Sequence, residues 1–152
     1  MNQINVKRLL LAGLAMFIAW IALEILVEGI GVDLLFGRHP HGAGVNPPGM
    51  AGWSAWNHVL NIAISLLDMM LMIWLYASLR PMYGVGVKTA LIASAFGIVW
   101  CVSLCFNLAN LGLIPFRDGL MKSIFVAIEF PIAMIVGAEI YEGNKDEVRD
   151  TT

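Results

Sequence analysis

The sequence predicts an all-α membrane protein, a bundle of four transmembrane helices with both termini in the cytoplasm. Hydrophobic residues make up 59% of the chain and charged residues 13%, and the mean hydropathy is +0.79. Soluble domains have about 45–50% apolar and about 25% charged residues, so this composition is typical of the membrane class. Four long apolar runs fill most of the 152 residues, which predicts a single integral membrane domain.

Each apolar run is long enough to cross a hydrocarbon core of about 30 Å as a helix that rises about 1.5 Å per residue. Because lipid offers no hydrogen-bond partners, each run must satisfy its own backbone groups, and continuous hydrophobicity excludes the alternating pattern of barrel strands. The predicted spans are residues 9–30, 56–79, 88–111 and 119–141, with an outer loop at 31–55 and a flexible tail at 142–152.

The first span follows Lys7 and Arg8, as the apolar part of a signal peptide follows basic residues. It is longer than such a segment, and no small-residue cleavage site follows it, so we interpret it as an uncleaved helix. The second and third spans are joined by a tight turn at residues 80–86, which contains Pro81 and two glycines. In the fourth span, Pro131 predicts a local distortion.

The basic residues divide unevenly between the two sides of the predicted bundle. On the side of the termini lie six of them, Lys7, Arg8, Arg80, Lys88, Lys145 and Arg149, and on the other side lie three, Arg38, Arg117 and Lys122. Lys and Arg accumulate in the cytoplasmic segments of membrane proteins, so this division predicts cytoplasmic termini and an outer loop at 31–55.

Polar residues recur at helical spacing within the spans, which predicts that they share one face of each helix and meet in the outer half of the membrane. In the second span, for example, Asn61, Ser65 and Asp68 are separated by four and three residues. The predicted cluster, a candidate binding site, comprises Glu24, Glu28, His58, Asn61, Asp68, Asn107, Asn110, Lys122 and Glu129.

Two interpretations of this cluster remain open. It can be a hydrogen-bonded network that holds the helices together, as polar side chains do in membranes. Alternatively, it can bind a cation or ligand, because two carboxylates one helical turn apart resist ionising together unless a cation lies between them. The candidate ligands for a divalent metal are Glu24, Glu28, His58 and Glu129.

Other residue types give less specific signals. Cys101 and Cys105 lie one helical turn apart in an apolar run, and we interpret them as small buried apolar side chains rather than as a metal or redox pair. No nucleophile elbow, Cys-x-x-Cys pair or phosphate-binding glycine loop occurs, so an enzyme is not indicated and the sequence identifies no cofactor. The net charge of -2 and the lack of a basic run argue against nucleic acid as a partner.

Residues 74–81 (WLYASLRP), the segments 129–131 (EFP) and 137–141 (GAEIY), and Glu24 resemble small bacterial four-helix integral membrane proteins for which no activity is known. The resemblance covers most of the chain. It implies a multi-pass location in the bacterial inner membrane and supplies no catalytic residue. The small multidrug exporters also have four helices and a Glu in the first helix, but this chain departs from them in its long first loop and in Glu28.

The leading hypothesis for function is a non-catalytic subunit or accessory factor of a larger membrane complex, since the chain is small and carries no catalytic motif. Its partners would then be the lipid bilayer together with another membrane protein or further copies of the chain. The alternative is a protein that binds or transports a cation, proton or small solute through the acidic intramembrane site. The apolar inner half of the spans argues against a continuous conducting path.

Overall fold

The computed structural model describes residues 4–27 and 55–143, and for Ala55, Asn57 and His58 it describes the backbone alone. These residues form four helices, and each is long and apolar enough to cross a membrane, as the sequence predicts. The helices are α1 (Val6–Leu26), α2 (Ala55–Tyr83), α3 (Val87–Asn110) and α4 (Phe116–Glu142). Residues 28–54, which include Glu28 and nearly all of the predicted outer loop, and residues 144–152 of the predicted tail lie outside the described part.

The four helices form a bundle in which α4 packs most extensively against α3 and α1. Helix α1 also packs against α2, whereas α2 and α3 have a smaller contact and the diagonal contact between α2 and α4 is smaller still. Polar contacts join α1 to α4 near both ends of the bundle, through Glu24 with Lys122 and Arg8 with Glu142. These contacts show that α1 and α4 run antiparallel.

The buried core lies toward one end of the bundle, the end that holds Val6, the turn between α2 and α3, and Glu142; we call it the terminal end. Its largest fully buried side chains include Met16, Ile73, Tyr76 and Met134. The opposite end, formed where α1 ends and α2 begins, is called the loop end. In α1, α2 and α3 the buried residues stop about halfway along the helix, so the packing is densest in the terminal half.

Glycines let neighbouring helices approach closely within this core. A Cβ atom on Gly97 of α3 would overlap the ring of Phe130 in α4. A Cβ atom on Gly137 of α4 would lie 2.5 Å from Cδ1 of Ile73 and 3.0 Å from Cβ of Met16. Small residues serve this purpose in membrane helices because the lipid supplies no hydrophobic force, so association depends on close packing.

A tight turn joins α2 to α3 at the terminal end. Helix α2 continues through Pro81 to Tyr83, three residues beyond the start of the predicted turn, because the fixed φ of proline is compatible with a helix. Gly84 and Gly86 then have φ values of 85° and 110°, which residues with a side chain rarely adopt. The hydroxyl of Thr89 donates a 2.6 Å hydrogen bond to the Gly84 carbonyl and fixes the start of α3.

Long apolar side chains cover the outside of all four helices. Among those exposed are Ile18 in α1, Leu67 in α2, Val99 in α3 and Ile128 in α4. A soluble protein does not leave so much apolar surface exposed on every helix, whereas hydrocarbon chains solvate it well. The surface of the bundle thus agrees with the composition of the chain.

Candidate functional site

A cleft of about 430 Å³ lies between α2 and α3, where the two helices have little direct contact. Helices α1 and α4 contribute Trp20 and three residues of its floor. The lining residues are Trp20, Ser65, Asp68, Met69, Leu71, Met72, Phe96, Gly97, Trp100, Cys101, Leu104, Cys105, Lys122, Val126 and Phe130. Most of these side chains are apolar, and Asp68 and Lys122 are the two charged members of this set.

Helical periodicity brings these residues to the cleft. On α2, Ser65, Asp68 and Met72 are separated by three and four residues and therefore lie on one face. On α3, Phe96, Trp100 and Leu104 recur at intervals of four. The predicted polar stripe of α2 thus coincides with one wall of the cleft, while the facing wall is largely aromatic and aliphatic.

The Asp68 side chain is exposed to the cleft, and the two ion pairs of the described residues do not include it. It lies close enough to Cys101 on the opposite wall to interact with that thiol electrostatically, as does Lys122. A carboxyl group in an apolar setting is stabilised by a proton or by a cation beside it. Asp68 is therefore the group in the cleft that a positively charged ligand would satisfy.

Lys122 is engaged by a carboxylate of another helix. Its Nζ donates a 3.1 Å hydrogen bond to Oε1 of Glu24, and this ion pair connects α4 to α1 on the loop-end side of the core. Lys122 also lines the cleft. The Glu24 carboxylate balances the Lys122 charge, so the pair adds little net charge to the cleft.

The other residues of the predicted cluster occupy different environments. Glu129 is buried, with 2% of its surface exposed, two helical turns from Lys122 on the same face of α4. Asn61, Asn107 and Asn110 are exposed and do not line the cleft. Glu28 and the His58 side chain lie outside the described residues. The structure therefore brings Glu24 to Lys122 and puts Lys122 and Asp68 on one cleft, but it does not gather the whole set.

The same limit applies to the predicted divalent metal ligands, because two of the four, Glu28 and His58, have no described side chain. Among the side chains that the structure describes, no group of three or more His, Cys, Asp or Glu residues could hold a metal ion. Glu24, the only predicted metal ligand with a described contact, is engaged by Lys122. A divalent site there stays a prediction.

A second polar cluster, at the terminal end, was not identified from the sequence. Glu142 accepts hydrogen bonds from the Tyr76 hydroxyl and from Arg80 Nη2, both 2.8 Å long, and its backbone carbonyl accepts one of 2.8 Å from Arg8 Nη1. The Tyr76 hydroxyl also accepts a 3.1 Å bond from the backbone N–H of Gly86. This network, which we call the terminal clasp, joins α1, α2, α4 and the turn.

The terminal clasp corrects the predicted start of the tail. Residue 142 was expected to begin a solvated, flexible segment because acidic residues follow it, but Glu142 ends α4 and its side chain is 13% exposed. Gly143, with a φ of 73°, then ends the helix. The spacing of four between Tyr76 and Arg80 was the available signal, since it puts both polar groups on one face at the end of α2.

A cavity of about 520 Å³ adjoins the clasp and is lined in part by Tyr76, Gly86, Glu139 and Glu142. The polar groups of the clasp already bond to one another, so this cavity offers a ligand fewer unsatisfied groups than the cleft does. The cleft between α2 and α3 is the better candidate site, since it combines apolar volume with a carboxyl group outside the described ion pairs.

No known protein family, no curated protein and no solved structure matches the chain.

Proposed function

We propose that the chain is a protein of the bacterial inner membrane, with cytoplasmic termini, that binds a small amphiphile carrying a positive charge in the cleft between α2 and α3. The four apolar helices and the six-to-three division of basic residues support the location and orientation. The bacterial inner membrane is also what the resemblance of residues 74–81 and 137–141 implies. The proposal replaces neither partner nor complex, and it assigns the acidic site a ligand class.

The observation that carries this proposal is Asp68, an exposed carboxyl group on an otherwise mainly apolar cleft. Ionisable residues inside a membrane are costly and usually mark binding or transport pathways. A bound cation would lower the cost of ionising Asp68. The facing Trp100, with 70% of its surface exposed, offers an aromatic ring that favours the same positive charge.

The apolar part of the cleft indicates the rest of the ligand. Phe96, Leu104 and Val126 contribute carbon surface, and a volume of about 430 Å³ is suited to a small hydrophobic body. A hydrophilic ion would leave this surface unsatisfied, and an uncharged hydrocarbon would leave Asp68 without a counter-charge. A hydrophobic cation satisfies both parts of the cleft.

Equilibrium dialysis of the purified protein in detergent tests the proposal with two probes of similar size and opposite charge, tetraphenylphosphonium and tetraphenylborate. We expect the cation to bind and the anion to bind at least about tenfold more weakly, a difference of roughly 1.4 kcal/mol. Asp68→Asn should weaken cation binding by a similar factor. Glu139→Gln, which removes a carboxylate outside the cleft, is the matched control and should leave binding unchanged.

Two results would refute a cation site at Asp68. One is equal binding of both probes by the native protein. The other is unchanged cation affinity in Asp68→Asn, with a thermal unfolding curve like that of the native protein. Loss of binding in Glu139→Gln as well would assign the effect to overall charge rather than to the cleft.

A second candidate function, a subunit of a larger membrane complex, is favoured by the exposed polar residues Asn61, Ser103, Asn107 and Asn110. The last three recur at intervals of four and three on α3, and side chains of this kind hydrogen-bond between membrane helices. A partner helix or a second copy would cover them. Mild purification at native abundance tests this: a lone protomer without co-purifying protein, unchanged by Asn107→Leu with Asn110→Leu, would exclude it.

A further inference from the structure

Four sulfur-containing side chains line the cleft between α2 and α3. Met69 and Met72 come from α2, and Cys101 and Cys105 come from α3. Met69 lies 15 residues before Gly84 and Cys101 lies 15 residues after Gly86, so the antiparallel helices bring both to the same depth. Cys105 is one helical turn from Cys101 and interacts with it electrostatically. The cleft therefore gathers two thiols and two thioethers from facing helices.

We propose that Met69, Met72, Cys101 and Cys105 form a binding site for one soft monovalent metal ion, Cu(I) or Ag(I). Thiolate and thioether sulfur are soft ligands, which favour such ions over Mg²⁺, Ca²⁺ or Mn²⁺. The absence of a His, Cys, Asp and Glu cluster among the described residues does not bear on this site, because half of its ligands are methionines. The site goes beyond the proposed amphiphile binding and requires no contribution from Asp68.

The charge balance of binding suits an apolar setting. One cysteine thiol loses its proton as the sulfur–metal bond forms, so that a monovalent ion and R–SH give R–S–metal and a released proton. The resulting unit is neutral, and the thioethers of Met69 and Met72 complete the coordination without adding charge. A divalent ion with the same ligands would leave a net charge, which is costly in a medium of low dielectric constant.

Accessibility also fits the proposal. Cys101 and Cys105 are half-buried rather than enclosed, so an ion that enters the cleft can reach them. Met69 is buried, with 3% of its surface exposed, and presents a fixed ligand from the opposite wall. If the four residues only fill space, replacing sulfur by an isosteric group should change no property except packing.

Silver content measured by mass spectrometry, after loading the purified protein with Ag(I) and desalting, tests the site without a redox reagent. We expect one tightly held equivalent in the native protein and its loss in the double variant Cys101→Ser with Cys105→Ser. Met69→Leu with Met72→Leu should weaken retention by at least about tenfold, since two ligands are removed. Met82→Leu is the control, because Met82 lies at the terminal end with 74% of its surface exposed.

Retention of the same silver equivalent by the double cysteine variant would overturn the proposal, as would equal losses in Met82→Leu and in the pair at Met69 and Met72. Unfolding curves of each variant, and the single cysteine substitutions, separate loss of ligands from loss of fold. Asp68→Asn should keep its silver while losing hydrophobic-cation binding. That variant distinguishes failure of the metal site from failure of the amphiphile proposal.

Discussion

At the scale of single residues, Glu142 has the most connected polar side chain that the structure describes. Its carboxylate is shared by Tyr76 and Arg80, and its carbonyl accepts from Arg8. Arg80 also lies 5.5 Å from the centre of the Tyr141 ring, so its guanidinium combines an ion pair with a cation–π contact. One carboxylate thereby positions groups from three helices.

Replacing Glu142 by Ala should lower the free energy of unfolding by about 1–3 kcal/mol, because Arg80 and Tyr76 both lose a charged partner in a partly buried setting. Glu142→Gln should cost less, since the amide oxygen can still accept from Tyr76. Circular dichroism during thermal unfolding in detergent measures the difference. Glu139→Ala, an exposed carboxylate on the same helix, serves as the control, and an equal effect there would contradict the role of the clasp.

The ion pair of Glu24 with Lys122 leads to a second prediction. Lys122→Met should destabilise the protein because it leaves the Glu24 carboxylate, which is 27% exposed in the bundle, without its counter-charge. Adding Glu24→Gln to Lys122→Met should recover part of the loss, since no unbalanced charge remains. Unfolding of the two single variants and the double variant forms a cycle. Strictly additive losses would show that the two residues do not interact.

At the scale of helices, Gly137 determines how closely α4 approaches α1 and α2. An added Cβ would meet Cβ of Met16 at 3.0 Å and the Ala12 backbone carbonyl oxygen at 3.3 Å, and the backbone cannot turn aside as a side chain can. Gly137→Ala should therefore cost about 1–3 kcal/mol through overpacking, despite the higher helix propensity of alanine. Ala127→Leu, a larger addition at an exposed position of α4, is the control for the thermal unfolding measurement. Equal stability of Gly137→Ala and the native protein would contradict this packing.

The helices themselves were predictable because lipid leaves an apolar run of this length almost no other structure. Helical spacing also identified the face of α2 that carries Ser65 and Asp68. It could not show whether a neighbour covers that face, and Asn61 and Asn107 are exposed although their spacing matches that of buried positions. The terminal clasp was missed because Glu142 is separated from Arg80 by 62 residues along the chain, and spacing informs only about residues on one helix.

At the scale of the whole molecule, the orientation follows from the unequal distribution of basic residues and is testable at both ends of the bundle. Cysteines introduced singly at Val85 and Leu113, in a background with Ser at positions 101 and 105, are both exposed. We expect a membrane-impermeant thiol reagent to label Leu113→Cys from outside intact cells, and Val85→Cys only after the cells are opened. The reverse pattern would invert the topology, and labelling of both from outside would exclude the four-span arrangement.

The dominant packing of α4 also determines when the protein can reach its native state during synthesis. Helix α4 makes the most extensive contacts with both α1 and α3, yet the ribosome produces it last. At about 5–20 residues per second, α1 waits several seconds in the bilayer before its principal neighbour emerges. Until then, Glu24 lacks Lys122 and Gly97 lacks the Phe130 ring that packs on it. The insertion machinery must therefore hold three helices until the fourth joins them, and premature termination before α4 would leave a substrate for membrane proteases.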